Sequence, residues 1–427
     1  MPASTMPDVF ENNLVFARNK DAKDPLASYR TKFHFPQHKG KDVVYFTGNS
    51  LGLQPKSLAG SVQQELDDWA RYGVEGHFLA KNPWVSYHEL LTEKMARIIG
   101  ARPEETVMMN QLTVNLHLLM VSFYRPDARR YKILCEAKAF PSDQYALQSQ
   151  IRFHGLKPHD ALIEVSPRKG EYSIHTEDIL SAIEKHKDSL ALVMIGGVNY
   201  FSGQVFDMKA ITEAAHKAGA LAGFDLAHAA GNIEMSLHDW EVDFAAWCSY
   251  KYLNSGPGSV AGAFVHSRHL NNFELPMFAG WWGHDKKTRF LMDSTFMPMP
   301  TAERWQLSNA PVLSMAACKS SLDIFDEVGM PALTQKSREL VAYLDYIITE
   351  INKDKNNCLE IITPSENRGC QLSIVAHGYG KTLYTRLIEN GVIPDWREPN
   401  VIRCAAVPLY MSYEDIYRFG QILKELL

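Results

Sequence analysis

The sequence has no long apolar run. Stretches such as LALVMIGGV (190–198) are far shorter than the ~20 residues that a membrane-spanning helix needs. The N-terminal segment MPASTMPDVFENNLVFARNK also lacks the basic start, apolar centre and small-residue cleavage site of a secretory signal. We therefore expect a cytoplasmic protein that does not enter a membrane.

Paired cysteines are missing as well. No two of the six cysteines form a CxxC pair, and no grouping of cysteine with histidine has the spacing of a zinc site. Several lie in apolar segments, where a free thiol is a small core residue. The pattern favours a reducing compartment and predicts no metal site. The six are Cys135, Cys248, Cys318, Cys358, Cys370 and Cys404.

The chain has no excess of basic charge. It carries 44 Lys and Arg against 49 Asp and Glu, a formal net charge of −5. Basic pairs such as Arg129-Arg130 are too short to bind a polyanion, so we expect no nucleic-acid partner. A hydrophobic share of 46% with 22% charged residues is typical of a folded globular chain. A length of 427 residues exceeds one hydrophobic core and predicts a large domain with a smaller one.

Strand-like and helix-like segments alternate from about residue 105 to 265. Buried apolar strands separated by amphipathic helices predict an α/β fold, a mostly parallel sheet with helices on both faces. Ligands of such sheets bind beyond the carboxyl ends of the strands. After the loop GWWGHD the pattern changes to long helices and then strands, which predicts a smaller C-terminal α+β domain. The predicted division is an N-terminal arm (1–42), a large domain (43–285) and a small domain (310–427).

Two strand ends carry the residues that matter most for function. Asp225 closes the apolar segment LAGFD, and Lys251 follows FAAWC, 26 residues later. A pyridoxal-5′-phosphate (PLP) enzyme needs this pair. The lysine forms an imine with the aldehyde and then transfers protons, and the carboxylate keeps the pyridine nitrogen protonated. An isolated Asp or Lys is usually a helix cap or a solvated charge. Here both follow buried strands, and His228 lies three residues after Asp225, which favours a cofactor site.

Other segments suit the remaining parts of the cofactor. NQLTVNLHLLM reads as a polar turn and then an apolar helix, whose first amides at Leu112 and Thr113 could hold a phosphate. Thr113 could equally be an ordinary helix cap. Phe140 begins a turn after another strand, where an aromatic ring could stack on a pyridine, although a core aromatic is the commoner case.

Several unusual segments together resemble the kynureninase family. They run in order from about residue 45 to about 410 and cover most of the chain: YFTGNSLGLQPK, NQLTVNLHLLM, RYKILCEAKAFPSDQYA, FDLAHAAGNIEMSLHDWEVDFAAWCSYKYLNSGPG, GWWGH, TRFLMD, LSNAP and PNVIRCAAVPLY. The resemblance implies PLP fold-type I, an aminotransferase-like architecture, and a homodimer with shared active sites. It implies hydrolysis of L-kynurenine, and of 3-hydroxy-L-kynurenine, to anthranilate or 3-hydroxyanthranilate and L-alanine, in tryptophan degradation and NAD biosynthesis.

The resemblance also implies a role for each matching residue. Lys251 is the Schiff-base lysine, Asp225 the partner of the ring nitrogen, and Tyr250 a phosphate contact and our candidate for later proton transfers. Arg403 grips the substrate carboxylate, because a guanidinium can bind both carboxylate oxygens. The other cofactor contacts are Leu112, Thr113, Phe140, Pro141, Ser142, Asp143, His228, Trp281 and Asn309, and Ser50 and His77 are further substrate contacts.

One position departs from the family pattern. Some members carry a serine where this chain has Gly196, in the segment GGVNYFSGQ. A side-chain contact at this position must therefore be absent or replaced in this protein, and a backbone group is one candidate for the replacement.

Parts of the sequence also fit other functions. GNSLG (48–52) satisfies the GxSxG pattern of serine hydrolases, but Pro55 delays the helix that must follow the serine at once. HGYGKT resembles a phosphate loop, with Val375 where the first glycine should be. Within the PLP enzymes, a cysteine desulfurase or an aminotransferase is the serious competitor. A desulfurase needs a mobile reactive cysteine, but Cys370 starts a predicted strand and Cys358 follows a polar helix end without a supporting motif. An enzyme-like binding protein without activity is a further alternative.

Overall fold

The structure, a computed structural model, describes residues 10–292 and 294–427. The first nine residues of the predicted arm, and the aspartate that ends TRFLMD, lie outside the described residues. The strands are β1 (Gln37–His38), β2 (Lys41–Asp42), β3 (Val44–Tyr45), β4 (Thr106–Met108), β5 (Lys132–Glu136), β6 (Leu162–Val165), β7 (Leu190–Gly196), β8 (Leu221–Asp225), β9 (Phe244–Trp247), β10 (Gly262–Val265), β11 (Leu359–Ile361), β12 (Gln371–Ala376), β13 (Val392–Ile393), β14 (Asp395–Arg397) and β15 (Val401–Ala405).

The α-helices alternate with these strands through the middle of the chain. Gly100 has φ +63° and ends the helix before it in the left-handed conformation, which glycine adopts without strain. The helices are α1 (Leu14–Lys23), α2 (Leu58–Tyr72), α3 (Gly76–Leu79), α4 (Glu89–Ile99), α5 (Leu112–Phe123), α6 (Pro141–Phe153), α7 (Pro158–Ala161), α8 (Thr176–His186), α9 (Met208–Lys217), α10 (Ser267–Leu270), α11 (Val312–Val328), α12 (Met330–Asp354), α13 (Gly380–Glu389) and α14 (Tyr413–Leu426).

A seven-stranded sheet forms the centre of the molecule, in the order β4-β10-β9-β8-β7-β5-β6. The pairs from β9 to β6 are parallel, and β10 runs antiparallel to both of its neighbours. All four residues of β9 are buried, because helices such as α5 and α9 pack against the strands. The predicted α/β architecture with a mostly parallel, helix-covered sheet is confirmed.

The C-terminal part of the chain has its own sheet, as predicted. Its strands lie in the order β11-β12-β15-β14, and every neighbouring pair is antiparallel. The N-terminal segment packs on this part: β3 pairs in parallel with β13, and α1 lies against α14. The domain boundaries at 42, 285 and 310 stay a prediction.

A buried carboxylate anchors the start of β9, the strand that leads to Lys251. Asp243 accepts hydrogen bonds from the backbone N–H of Ala222 (2.7 Å), from His216 Nε2 (2.8 Å) and from His269 Nε2 (2.7 Å). Arg268 Nη2 lies 2.7 Å from its Oδ1. Burial works to raise the pKa of Asp243, but the histidine hydrogen bonds and the Arg268 charge prevail and hold it below its usual range.

We expect Asp243→Asn to lower the free energy of unfolding by about 3 kcal/mol, because it removes the buried anion that Arg268 and the two histidines contact. The folded pKa is depressed, so the wild-type contribution is present above pH ~4 and is lost as the pH falls through the folded value. Urea unfolding at neutral pH measures the effect. Asp239→Asn, at an exposed position, is the control and should change stability by less than ~0.5 kcal/mol. Equal unfolding free energies for the two variants would contradict the expectation.

Candidate active site

A cavity of about 310 Å³ lies at the carboxyl ends of the central strands. Glu136 ends β5, Gly196 ends β7 and Asp225 ends β8, while Tyr250 and Lys251 follow β9. Parallel strands present their carboxyl ends at one edge of a sheet, which is why these distant segments meet. The cavity is lined by Gln111, Leu112, Thr113, Glu136, Phe140, Ser142, Asp143, Gly196, Val198, Tyr200, Asp225, Ala227, His228, Tyr250 and Lys251.

Lys251 and His228 contact each other in this cavity. Lys251 Nζ lies 3.0 Å from His228 Nε2. Burial, together with the Lys251 charge, lowers the pKa of His228 well below its usual value, so the imidazole is neutral and accepts the hydrogen bond from the lysine. The other ring nitrogen, Nδ1, then carries the proton, and it has no partner among the described residues. A buried donor without a partner is rare, and a bound ligand would satisfy it.

Two carboxyl groups, Asp225 and Asp143, lie side by side in the same cavity as the lysine. Asp225 Oδ1 accepts the backbone N–H of Ala227 at 2.6 Å, and the Asp143 carboxyl donates a hydrogen bond to Asp225. Burial raises the pKa of both groups, and for Asp143 the charge of Asp225 adds to the effect. A cation that enters the cavity beside this pair would be stabilised by it, and a protonated ring nitrogen is such a cation.

An aromatic face and a helix N-terminus complete the cavity. Phe140 directly precedes α6 and remains 39% exposed, with Lys251 Nζ 5.8 Å from its ring centroid. Tyr200 meets the same ring edge-on at 5.2 Å. The first residues of α5, Leu112 and Thr113, line the same cavity, and the free backbone N–H groups of a helix N-terminus attract phosphate. Together the amine, the carboxyl pair, the aromatic face and the helix N-terminus fit PLP.

Most of the predicted site residues meet at this cavity, and some do not. Leu112, Thr113, Phe140, Ser142, Asp143, Asp225, His228, Tyr250 and Lys251 all line it, while Pro141 begins α6 next to it. The others that do not line it are Ser50, His77, Trp281, Asn309 and Arg403. Trp281 is 48% exposed and Asn309 is also exposed. His77 contacts the Val74 carbonyl (2.9 Å) at the molecular surface, and Ser50 is half-buried in the turn after β3.

Arg403 is fully buried on β15. Its Nη1 donates to the Tyr200 carbonyl at 2.6 Å, and its Nη2 lies 2.8 Å from Asp395 Oδ2. Its Nε has no hydrogen-bond partner among the described residues. The guanidinium therefore connects the C-terminal sheet to the loop that carries Tyr200, a lining residue of the cavity.

Sequence reasoning missed several lining residues, of which Glu136 and Tyr200 are the most important. Glu136 ends the apolar strand KILCE just as Asp225 ends LAGFD, so the strand-end argument that found Asp225 could have found it. Tyr200 lies in an irregular loop, where no local pattern marks it. Gln111, Val198 and Ala227 also line the cavity without a distinguishing signal.

The rival motifs lack the geometry that they need. The helix after GNSLG begins at Leu58, eight residues beyond Ser50, so no nucleophile elbow forms. Cys370 is 1% exposed, and burial raises its pKa to about 12, so it is neither mobile nor reactive. HGYGKT leads into α13 on the C-terminal part of the chain, away from the cavity.

Two groups of metal-ligating side chains occur elsewhere in the described part of the chain. In each group, a histidine is already hydrogen-bonded to a carboxylate. His238 Nδ1 lies 2.8 Å from Glu105, and His88 Nε2 lies 2.6 Å from Glu303. Both groups are explained as internal hydrogen-bonded pairs. The groups are Glu105, His238 and His266, and His88, Glu89 and Glu303.

Comparison with known proteins decides between the PLP chemistries. The chain is 58% identical over 419 residues to Kynureninase of Flavobacterium psychrophilum, covering 98% of this chain and 99% of the relative. The chain belongs to the kynureninase family. Kynureninase of Myxococcus xanthus is 54% identical over 423 residues, covering 98% and 99%. The family model Kynureninase C-terminal domain matches residues 333–423. The predicted enzyme class, a PLP-dependent hydrolase of carbon–carbon bonds, and the predicted cofactor are confirmed.

Solved structures show the same fold at much lower identity. A variant of C-DES with glycine covalently linked to its PLP cofactor has a TM-score of 0.75 at 14% identity, covering 89% of this chain and 96% of that one. The cysteine desulfurase CsdA from Escherichia coli has a TM-score of 0.74 at 15% identity, covering 94% and 98%. The predicted fold-type I architecture is confirmed. Within the described residues, no helix combines the length and apolar character that crossing a bilayer requires.

Proposed function

We propose that this chain hydrolyses L-kynurenine to anthranilate and L-alanine, and 3-hydroxy-L-kynurenine to 3-hydroxyanthranilate and L-alanine. The observation that carries the proposal is the contact of Lys251 with His228 (3.0 Å) in the cavity that Asp225 also lines, in a chain 58% identical to a kynureninase. The proposed place of the reaction is the cytoplasm, in tryptophan degradation and NAD biosynthesis.

The residues that would hold the cofactor each meet one part of it. Lys251 supplies the covalent attachment, Phe140 the stacking face, and Asp225 the carboxylate for the ring nitrogen. Leu112 and Thr113 at the start of α5 would bind the phosphate. When bound, PLP supplies an aldehyde that takes the substrate amine and a ring that accepts electrons from the α-carbon.

Proton transfers fall to Lys251 and Tyr250. Once the substrate amine displaces it, the Lys251 amine can remove the α-proton and return it. Burial and the neighbouring Cys248 raise the pKa of Tyr250, so its hydroxyl stays protonated and acts as a donor rather than a base. That donor suits the late step, in which the bond between Cβ and Cγ has broken and Cβ takes up a proton. In the same cleavage, water adds to the side-chain ketone, its oxygen stays in the carboxylate of anthranilate, and the electron pair of the broken bond passes to Cβ.

Substrate contacts are proposed for Arg403, Ser50 and His77. Arg403 is fully buried, and its Nε has no hydrogen-bond partner among the described residues. Because Arg403 donates a hydrogen bond to the Tyr200 carbonyl, a substrate carboxylate would have to pass Tyr200 to reach the guanidinium. Ser50 lies in a loop packed on the backbone of the lysine segment, where Gly52 N–H donates to the Tyr250 carbonyl at 2.9 Å.

A homodimer would explain the predicted residues that do not reach the cavity of their own chain. Trp281 is 48% exposed and packs edge-on against Phe290 at 5.6 Å, which in turn lies 6.3 Å from Phe78. Leu291 beside them is 73% exposed. Exposed apolar surface of this kind is typical of an interface. A second copy covering it would bring Trp281 and Asn309 to a neighbouring cavity.

Anthranilate fluorescence tests the proposed reaction. Purified protein loaded with PLP is mixed with L-kynurenine or its 3-hydroxy form, and L-alanine is measured in the same samples. We expect both products in equal amounts from at least one substrate. Sulfide from cysteine, or a keto acid that depends on an amino acceptor, without anthranilate would replace the proposal with a desulfurase or an aminotransferase.

A further inference from the structure

A third carboxyl group lies in the cavity beside Asp225 and Asp143. Glu136 ends β5 and is only 4% exposed. The backbone N–H of Gly196, at the end of β7, donates to both oxygens of Glu136 at 3.2 and 3.4 Å. A Cβ added to Gly196 would lie 3.1 Å from Glu136 Oε1. The glutamate therefore occupies the space that a side chain at position 196 would enter.

The surroundings of Glu136 favour its neutral form. Burial raises its pKa to about 7 against the opposing hydrogen bonds from backbone N–H groups, and the charge of Asp225 adds to the rise. The other titratable groups that interact with it are Asp143 at the start of α6, Tyr200 after β7 and Cys135 on its own strand. All three are acids, so none favours ionisation. A neutral carboxyl group carries an O–H that can be donated.

The order of the strands places Glu136 on a definite side of Asp225. The phosphate-binding end of α5 follows β4 at one edge of the sheet, and β8, β7 and β5 lie in that order toward the other edge. Gly196 is directly opposite Asp225 in the register of β7 and β8. If the ring nitrogen binds at Asp225 and the phosphate at α5, the ring edge that carries the phenolic oxygen would face the ends of β7 and β5. Glu136 is the acidic side chain at that edge.

We propose that Glu136 is a positioning residue for the cofactor, whose carboxyl group donates a hydrogen bond to the phenolic oxygen in place of a side-chain contact from position 196. The inference rests on the proposed function, because it needs PLP attached at Lys251. Such a hydrogen bond would stabilise the negative charge on the phenolic oxygen. It would therefore lower the pKa of the nitrogen that joins Lys251 to the cofactor. Removal of the donor must therefore raise the pH at which that nitrogen loses its proton.

The test is a pH titration of the visible absorption of the PLP-loaded protein, with no substrate present. Glu136→Ala and Glu136→Met remove the donor, and Met fills nearly the same volume if Ala proves unstable. Both variants should raise the midpoint of the absorption titration by about one pH unit and weaken PLP binding about tenfold. Glu136→Gln keeps an N–H donor and should hold the midpoint within about 0.3 unit of wild type. Adding Gly196→Ser to Glu136→Ala should reverse at least half of the shift, because the hydroxyl restores a donor.

The sign of the shift separates this role from the alternatives. If Glu136 acted as an ionised carboxylate, its removal would lower the midpoint, and if it were only structural, the midpoint would not move. Either result in Glu136→Ala and Glu136→Met overturns the inference. Glu164→Gln, on the neighbouring strand β6 and exposed, is the matched control and should leave the midpoint unchanged. Wild-type protein that does not bind PLP at Lys251 would instead refute the proposed function, an outcome distinct from the failure of Glu136.

Discussion

Lys251→Ala is expected to abolish turnover of L-kynurenine, with a loss of at least about 10⁴-fold in kcat. The substitution removes the amine that attaches the cofactor and moves the α-proton. The neighbouring His228 cannot replace it, because burial lowers the pKa of its imidazole and makes it a weak base. Borohydride reduction followed by mass spectrometry measures the attachment. In wild type it should fix PLP on the peptide that contains Lys251, and in the variant no peptide should carry it.

Lys209→Ala is the control for this experiment. Lys209 is an exposed lysine on α9, 3.9 Å from Glu213, so its loss should change neither turnover nor labelling. Retained turnover in Lys251→Ala, with soluble folded protein, would refute the assignment of Lys251. Labelling of another lysine in wild type would refute it as well.

Asp225→Asn is expected to leave a folded protein that binds PLP and exchanges the substrate α-proton with solvent at least about 10²-fold more slowly. The amide is nearly isosteric with the carboxylate, and it can still accept the Ala227 N–H at Oδ1. It carries no charge, however, and cannot hold a proton on the ring nitrogen. Deuterium incorporation at the α-carbon in heavy water measures this step separately from cleavage.

A matched substitution on the surface controls for the loss of one carboxylate. Asp188 is 80% exposed and lies 3.3 Å from Arg129, so Asp188→Asn should leave α-proton exchange within twofold of wild type. Near-normal exchange in Asp225→Asn would show that the ring nitrogen does not depend on this carboxylate. The proposed electronic role of Asp225 would then be wrong, while the attachment at Lys251 would be unaffected.

The structure brings predicted site residues together where their position follows from a local sequence pattern. Asp225 and Lys251 each follow an apolar strand, and the hydrophobic pattern of a strand is readable within a few residues. The same holds for the helix that starts at Leu112 and for the turn at Phe140. A residue at the carboxyl end of a predicted parallel strand is thereby placed at the ligand-binding edge without knowledge of the strand order.

Residues without such a local signal could not be placed. Trp281 and Asn309 match the family, yet they do not line the cavity, and sequence matching does not show where a residue lies in the folded protein. Tyr200 reaches the cavity from an irregular loop, held through its carbonyl by Arg403 from the C-terminal sheet. Contacts between remote segments depend on how the two sheets pack.

The amino-acid sequence alone was enough for the α/β class, the family and the cofactor, and it placed Asp225 and Lys251 at the ends of two buried strands, because each of these is encoded in short segments that keep their meaning in isolation. Only the folded chain could show that Glu136 meets Gly196, since these residues are 60 positions apart and become neighbours through the order β8-β7-β5. Strand order is decided by long-range packing of the helices and strands. The side chains that share one cavity edge are therefore a property of the tertiary structure.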